Sequence, residues 1–318
     1  MSLTTAEALR SLLSDADRDA LRAILGDRVA FDEPLAPYTS WKIGGPADAL
    51  TVIESEAELA AVMRLCFRRK LPWMVVGSGS NLLVGDGGIR GIVIRLAGAF
   101  SEVRVRSDEG RVVVEAGASA PMAVVTAKAA SAGASHVGSL SGIPGTVGGS
   151  LRMNAGTDRE IGDFVHDVWV QSPVKPDPHP IAVEYFYRHT TLARDAVVAR
   201  VTLVFEQDDP RAVRDEMQTR LVRRKNTQPI ALPNAGSCFR NPEGDKAARL
   251  IEAAGAKGWR EGGAEVSSLH ANFINNVDRA SAKDVTTLLA RVRRAVADQF
   301  GVDLQLEVHL IGVFVDET

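Results

Sequence analysis

The placement of glycine constrains this chain more than any other feature. Of its 28 glycines, 13 fall in two windows, residues 77–91 and 133–156, which together span only 39 positions. Such density marks backbone conformations closed to other residues, or backbone lying against a ligand. One window alone reads as tight turns between short strands; two in one chain favour a ligand. Val75-Val76 runs as a strand into Gly77-Ser78-Gly79-Ser80-Asn81, whose amides and hydroxyls can bind a diphosphate without positive charge. Ser141-Gly142-Ile143-Pro144-Gly145-Thr146, with Gly148, Gly149 and then Met153-Asn154-Ala155-Gly156 following, offers a second such surface. Two amide-rich loops separated by a hairpin suggest an extended dinucleotide.

Around the first window the order is strand, helix, strand, strand. Ser55-x-x-Glu58 predicts a capping box, and the helix it opens puts Leu59, Val62, Met63, Cys66 and Phe67 on one face. Cys66 therefore reads as core. Residues 103–106 and 111–117 flank Asp108-Glu109-Gly110 as a hairpin, and a Pro121-initiated helix runs to about Ala132. Strands are expected at Val168–Gln171 and Val197–Glu206. Asp208-Asp209-Pro210 opens a helix ending in Arg223-Arg224-Lys225. Further helices are expected near 245–254 and over 281–300, the latter with a capping box at Ser281-x-x-Asp284. Leu304–Ile311 alternates as a final strand. At the N-terminus, Leu9, Leu12, Leu13, Ala16, Leu21, Ile24 and Leu25 line one helical face. These signals divide the chain into an N-terminal helical segment (1–30), a module at 31–207 with parts at about 31–98 and 99–207, and a domain at 208–318.

Composition narrows the function. Formal charge is −3, so no global basic field exists to hold nucleic acid or an anionic membrane, and no apolar run approaches a membrane span. The N-terminus lacks the pattern of a signal peptide, and two cysteines make no disulfide scaffold, which points to the cytoplasm. There is no P-loop motif, and Gly77-Ser78-Gly79-Ser80-Asn81-Leu82 lacks the last glycine of the Rossmann fingerprint. Six histidines show no ligand spacing, so no metal is expected.

Six motifs in register resemble the UDP-N-acetylenolpyruvoylglucosamine reductases, the MurB family of peptidoglycan synthesis. They are Thr39–Asp48, the Gly77–Leu83 loop, Ser141–Gly156, Tyr187-Arg188, Asn234–Pro242 and Leu306–Gly312. The resemblance implies an α+β chain: a two-part FAD-binding module of the vanillyl-alcohol-oxidase type, then an α+β substrate domain. It implies non-covalent FAD held by Ile43 and Gly44, by Gly77, Ser78, Gly79, Ser80 and Asn81, and by Ser141, Gly142, Ile143, Pro144, Gly145, Thr146, Gly148, Gly149 and Asn154. It also implies NADPH as co-substrate and a UDP-sugar as substrate; a monomer is expected, with an oligomer left open.

The implied reaction delivers hydride to the vinyl carbon of an enolpyruvyl ether. Charge then develops on the carbon bearing the carboxylate, which needs a cation on that carboxylate and a proton donor. By the resemblance, Ser237 is the proton donor, Arg188 polarises the substrate carboxylate, and Glu307 is a carboxylic partner there. Tyr187, Lys225 and Asn241 match substrate-side positions. By spacing alone Ser237 is a turn serine, Arg188 a surface ion pair and Lys225 a solvated helix end, while periodicity leaves Glu307 free to face either way. Thr157-Asp158-Arg159 stands where relatives often have an aromatic, and Cys238 where they have an apolar residue. The 37 positions between Arg188 and Lys225 fit a shorter subgroup lacking an inserted tyrosine-bearing loop. Another FAD-dependent oxidoreductase or oxidase of this fold is the alternative, since it needs the glycine loops but not Ser237, Arg188 and Glu307 together.

Overall fold

A computed structural model describes residues 9–315. Of the expected N-terminal helix, residues 1–8 lie outside the described residues. Ser14 caps α1 (Asp15–Leu25), accepting from the Asp17 amide while Asp17 returns a bond to the cap. Leu13, Leu21 and Leu25 are buried, whereas Leu9 and Leu12 are exposed and precede the helix. The continuous stripe expected from Leu9 onward is thus broken: the cap at Ser14 starts the helix late, and Asp48 ties down the Leu12 amide at 3.0 Å.

The first unit comprises β1 (Val29–Pro34), β2 (Pro46–Ile53), α2 (Glu56–Arg69), β3 (Trp73–Val75), β4 (Leu82–Val84) and β5 (Ile89–Leu96). Its sheet runs β1-β2-β5-β3, parallel except at β1-β2. Ser55 caps α2 as expected, but Glu58 bonds the Glu54 amide and Arg28 instead of closing the box. Cys66 is core; Phe67, expected beside it, is 62% exposed because the buried arc turns through Leu65 instead.

The second unit holds β6 (Val103–Asp108), β7 (Arg111–Gly117), α3 (Met122–Ser131), α4 (Val147–Arg152), β8 (Val165–Gln171), β9 (His179–Ile181), β10 (Tyr185–Phe186), β11 (His189–Thr190) and β12 (Val197–Glu206). Five of these strands form an antiparallel sheet, β6-β7-β12-β8-β9. Glu109 and Gly110 both take positive φ at the β6–β7 turn, the geometry a two-residue hairpin requires.

Then come α5 (Pro210–Thr227), α6 (Ala247–Ala253), β13 (Arg260–Glu261), β14 (Ala264–Val266), β15 (Ile274–Asn276), α7 (Ala282–Phe300) and β16 (His309–Ile311). Helix α5 packs Val213 and Met217 into the core of the second unit. Helix α7 has its full capping box, buries Val285, Leu288, Leu289, Val292 and Val296, and ends at Gly301 with φ +68°. The last strand is shorter than expected. Leu306 pairs only with Phe239, and the chain then switches partner so that β16 runs parallel to β4 of the first unit. Trp41 fastens the two ends of the molecule: fully buried in the C-terminal core, its indole donates to Ile274 O at 2.7 Å. Among the described residues no helix is long and apolar enough to cross a membrane.

Candidate active site

The two glycine loops meet. Loop 77–81 connects β3 to β4, and residues 141–146 lead into α4. Ser80 Oγ donates to Pro144 O at 3.0 Å, and a Cβ on Gly77 would lie 2.6 Å from Thr146 Oγ1. Gly79 takes φ +60° and its Cβ would lie 2.6 Å from Tyr38 O, so neither glycine can carry a side chain without displacing its neighbour. Gly77, Ser78, Gly142 and Ile143 have no hydrogen-bond partner among the described residues. A narrow, backbone-walled cradle with free amides fits the diphosphate of FAD and needs no cation to do so.

Other residues expected at the cofactor have partners within the protein. Ile43 and Gly44 line a cleft of about 520 Å³ together with Lys42, Asp86 and Arg279. The Gly148 amide is spent on Ala118 O at 2.8 Å and that of Gly149 faces Thr146 Oγ1 at 3.4 Å. Ser141 is buried and bonds back to Gly138 O. Asn154, also buried, accepts from the Gly162 amide and donates to Phe186 O and to Glu160.

Arg188 occupies the tight turn between β10 and β11 with φ +58°, a region costly for any residue but glycine, at about 1 kcal/mol or more. That conformation aims its guanidinium inward. Nε donates to Glu307 Oε1 at 2.8 Å, Nη1 to Glu160 Oε1 at 3.1 Å, and Nη2 to Gly156 O at 3.2 Å. The guanidinium also lies 4.7 Å from the centroid of the Tyr187 ring, whose outer side is exposed. Glu307 settles the question periodicity left open: it faces inward, to Arg188.

Backbone pairing brings Ser237 to the same place. The Glu307 amide donates to Cys238 O at 2.8 Å, and Asn81 Nδ2 donates to Glu307 O at 3.0 Å. Glu307 thereby joins the first glycine loop to the Gly236-Ser237-Cys238 turn. Gly236 takes φ +76° there, and its amide bonds Asn234 Oδ1. Asn272 clamps the next residue, bonding both the amide and the carbonyl of Phe239. Ser237 itself is half-buried, and its hydroxyl has no partner among the described residues. Cys238 is buried, and its thiol is pushed up to about 12 by desolvation, so it is a neutral neighbour.

Burial raises the carboxyl of Glu307 above the ordinary range, opposed by Arg188 and Arg240. It raises Glu160 as well, opposed by Arg188. Of the remaining expectations, Lys225 is exposed on α5, and Asn241 Oδ1 accepts from the first amide of α6 at 3.1 Å. Arg224, not Lys225, lies against the second loop, its Cδ 3.0 Å from where a Gly142 Cβ would stand. Sequence reasoning missed Glu160, Arg224 and Arg240; a glutamate four residues beyond the glycine of Met153-Asn154-Ala155-Gly156 carries no local signal of its partner.

Comparison with known proteins identifies the family. A profile of the FAD binding domain matches residues 47–171, and one of the UDP-N-acetylenolpyruvoylglucosamine reductase C-terminal domain matches residues 228–311. The reductase of that name from Moorella thermoacetica is 43% identical over 90% of this chain and 94% of its own. A second, from Symbiobacterium thermophilum, is 42% identical over 92% and 96%. The crystal structure of the Thermus caldophilus enzyme superposes with a TM-score of 0.74 at 34% identity, covering 89% of this chain and 97% of that one. Identity at this level along nine-tenths of the sequence, with a matching fold, means that the chain belongs to the UDP-N-acetylenolpyruvoylglucosamine reductase family.

Proposed function

We propose that this protein reduces the enolpyruvyl ether of UDP-N-acetylglucosamine enolpyruvate to UDP-N-acetylmuramate, using NADPH and non-covalent FAD. The observation that carries this reading is the convergence of Ser237, Glu307 and Arg188 on the loop that ends at Asn81. Bound FAD would supply the hydride, taken from NADPH, that reaches the vinyl carbon of the substrate. The free amides of Gly77, Ser78, Gly142 and Ile143 would hold its diphosphate, with Arg224 beside the second loop.

Once hydride arrives, the adjoining carbon carries negative charge that spreads into the substrate carboxylate. Arg188 retains unused N–H groups to bind that carboxylate, and its planar fork suits the task. Glu307, as the neutral acid, would donate a further hydrogen bond to it, as buried carboxylic acids can. Ser237 would deliver the proton to the carbon; its hydroxyl is weakly acidic and serves because the carbanionic centre is far more basic. The free Oγ supports that role, because no protein acceptor competes for its proton. Exposed Tyr187, Lys225 and the Nδ2 of Asn241 would contact the nucleotide-sugar. We place the reaction in the cytoplasm, where a UDP-sugar is at hand.

An anaerobic absorbance trace tests the proposal. Holoenzyme is reduced with one equivalent of NADPH and then mixed with UDP-N-acetylglucosamine enolpyruvate. Bleaching of the flavin band followed by prompt recovery is expected. Bleaching without recovery would leave a flavoprotein of another specificity, and fast oxygen consumption with a small alcohol would identify an oxidase instead.

A further inference from the structure

Arg188 faces two carboxylates with one positive charge. Glu307 and Glu160 bond the same guanidinium from different sides, and the three side chains are only 18%, 24% and 17% exposed. If both acids were ionised, the cluster would already be negative before a substrate carboxylate arrived. At short range and low effective dielectric, such an excess is expensive. One of the two acids must keep its proton when substrate binds.

Hydrogen-bond chemistry distinguishes them. One Glu160 oxygen accepts from Arg188 Nη1, and the other accepts from the Asn154 amide nitrogen. The orientation of that amide is fixed, since its oxygen accepts from the Gly162 amide at 3.0 Å and its nitrogen also donates to Phe186 O at 3.1 Å. Both Glu160 oxygens therefore accept from N–H donors, and hydrogen bonds donated to a carboxylate favour its ionised form. Glu307 is different. Its Oε1 accepts from Arg188 Nε at 2.8 Å, while Oε2 has no hydrogen-bond partner among the described residues and is free to carry a proton.

We propose that Glu160 is a positioning residue that supplies the counter-charge of Arg188, so that Glu307 meets the substrate as the neutral acid. This rests on the reading of Arg188 and Glu307 given above and assigns a role to a residue that does not touch the substrate. Other charged groups face the pair. Arg240 acts on Glu307 from the segment that pairs with Gln305 and Leu306, and Asp163 acts on Glu160 from its own turn. Arg240 favours ionised Glu307, so removing the Glu160 charge would leave two cations acting on Glu307 with nothing to offset them.

The test is the pH profile of substrate-driven flavin reoxidation in the holoenzyme, measured against NADPH-driven reduction of the same sample. Glu307 must hold its proton, so the wild-type rate should fall on an alkaline limb. In Glu160→Gln the uncompensated Arg188 draws the Glu307 proton off earlier, moving that limb down by about one pH unit. Below the limb the variant recovers most of the wild-type rate, which a merely misshapen site would not do. Glu160→Asp retains the charge and should hold the limb within about 0.3 unit of wild type. An unmoved limb in Glu160→Gln, or a full-unit shift in Glu160→Asp, overturns the inference. If Glu160→Gln fails to retain flavin, Glu160→Ala, which also removes the charge, is read for the same downward shift. Failure of the wild type to reoxidise with the enolpyruvyl ether would instead overturn the functional reading itself.

Discussion

Replacing Arg188 by lysine keeps the charge and removes the geometry, which makes it the sharpest probe of the site. The guanidinium holds Glu307 at 2.8 Å, Glu160 at 3.1 Å and Gly156 O at 3.2 Å from three different nitrogens, and rests on the Tyr187 ring. An ammonium is a single point and can approach only one of the two carboxylates closely. A hydrogen bond to a charged group contributes about 1.5–3 kcal/mol and a neutral one about 1 kcal/mol. With one charged bond and the carbonyl bond lost, and allowing for the partial exposure of the cluster, the cost is about 3 kcal/mol. If that loss falls on the step in which charge develops on the substrate carboxylate, the rate should drop about 100-fold. The assay is single-turnover reoxidation of NADPH-reduced enzyme by the enolpyruvyl ether, with a thermal melt alongside to separate instability from lost chemistry. A rate within about threefold of wild type in a folded, flavin-loaded variant would refute the claim that two carboxylates must be held at once.

Ser237→Ala should slow the same reoxidation about 10²- to 10⁴-fold, the usual yield of a positioned proton donor. Its melting temperature should stay close to wild type, because the hydroxyl has no protein partner to orphan; normal turnover would remove the serine from the chemistry. Gly77→Val places a branched side chain against Thr146 Oγ1, which lies 2.6 Å from even a Cβ at that position. Overpacking of about 1–3 kcal/mol predicts FAD affinity lowered about 10- to 100-fold by fluorescence titration, and unchanged affinity would mean that the loops do not form the cradle. Glu307 carries a raised carboxyl in the native state, so the folded protein holds this proton more tightly than the unfolded chain, whose value lies near 4.5. Its contribution to stability is complete below that value and fades as pH rises through the folded one. Glu307→Gln should accordingly lose less melting temperature than wild type between about pH 5 and 8, and parallel curves would show that its proton is not held.

The local devices of this fold are legible in the chain. The Ser281/Asp284 box, the buried stripe of α7, the hairpin at Glu109-Gly110 and the small-residue loops each depend on residues within a few positions of one another. Arg188, Ser237 and Glu307 stand out one at a time only through the family resemblance. Their convergence does not stand out. Glu307 lies 119 positions from the arginine it binds, and Glu160 lies 28 positions from it on the other side. Alternation across 304–311 gave no orientation for Glu307, because that segment changes partners midway, from Phe239 to β4. Helix α5 looks like the start of a new domain by its proline and charges, yet packs back on the preceding one through Val213 and Met217. Trp41 lies within the Thr39–Asp48 motif, and only the fold shows that it fastens the C-terminal core. Conformation is encoded by near neighbours, through dihedral limits, caps and periodicity. The charge a carboxyl carries is set by what surrounds it in space, and only the folded chain decides which of two glutamates beside one arginine is better placed to keep its proton.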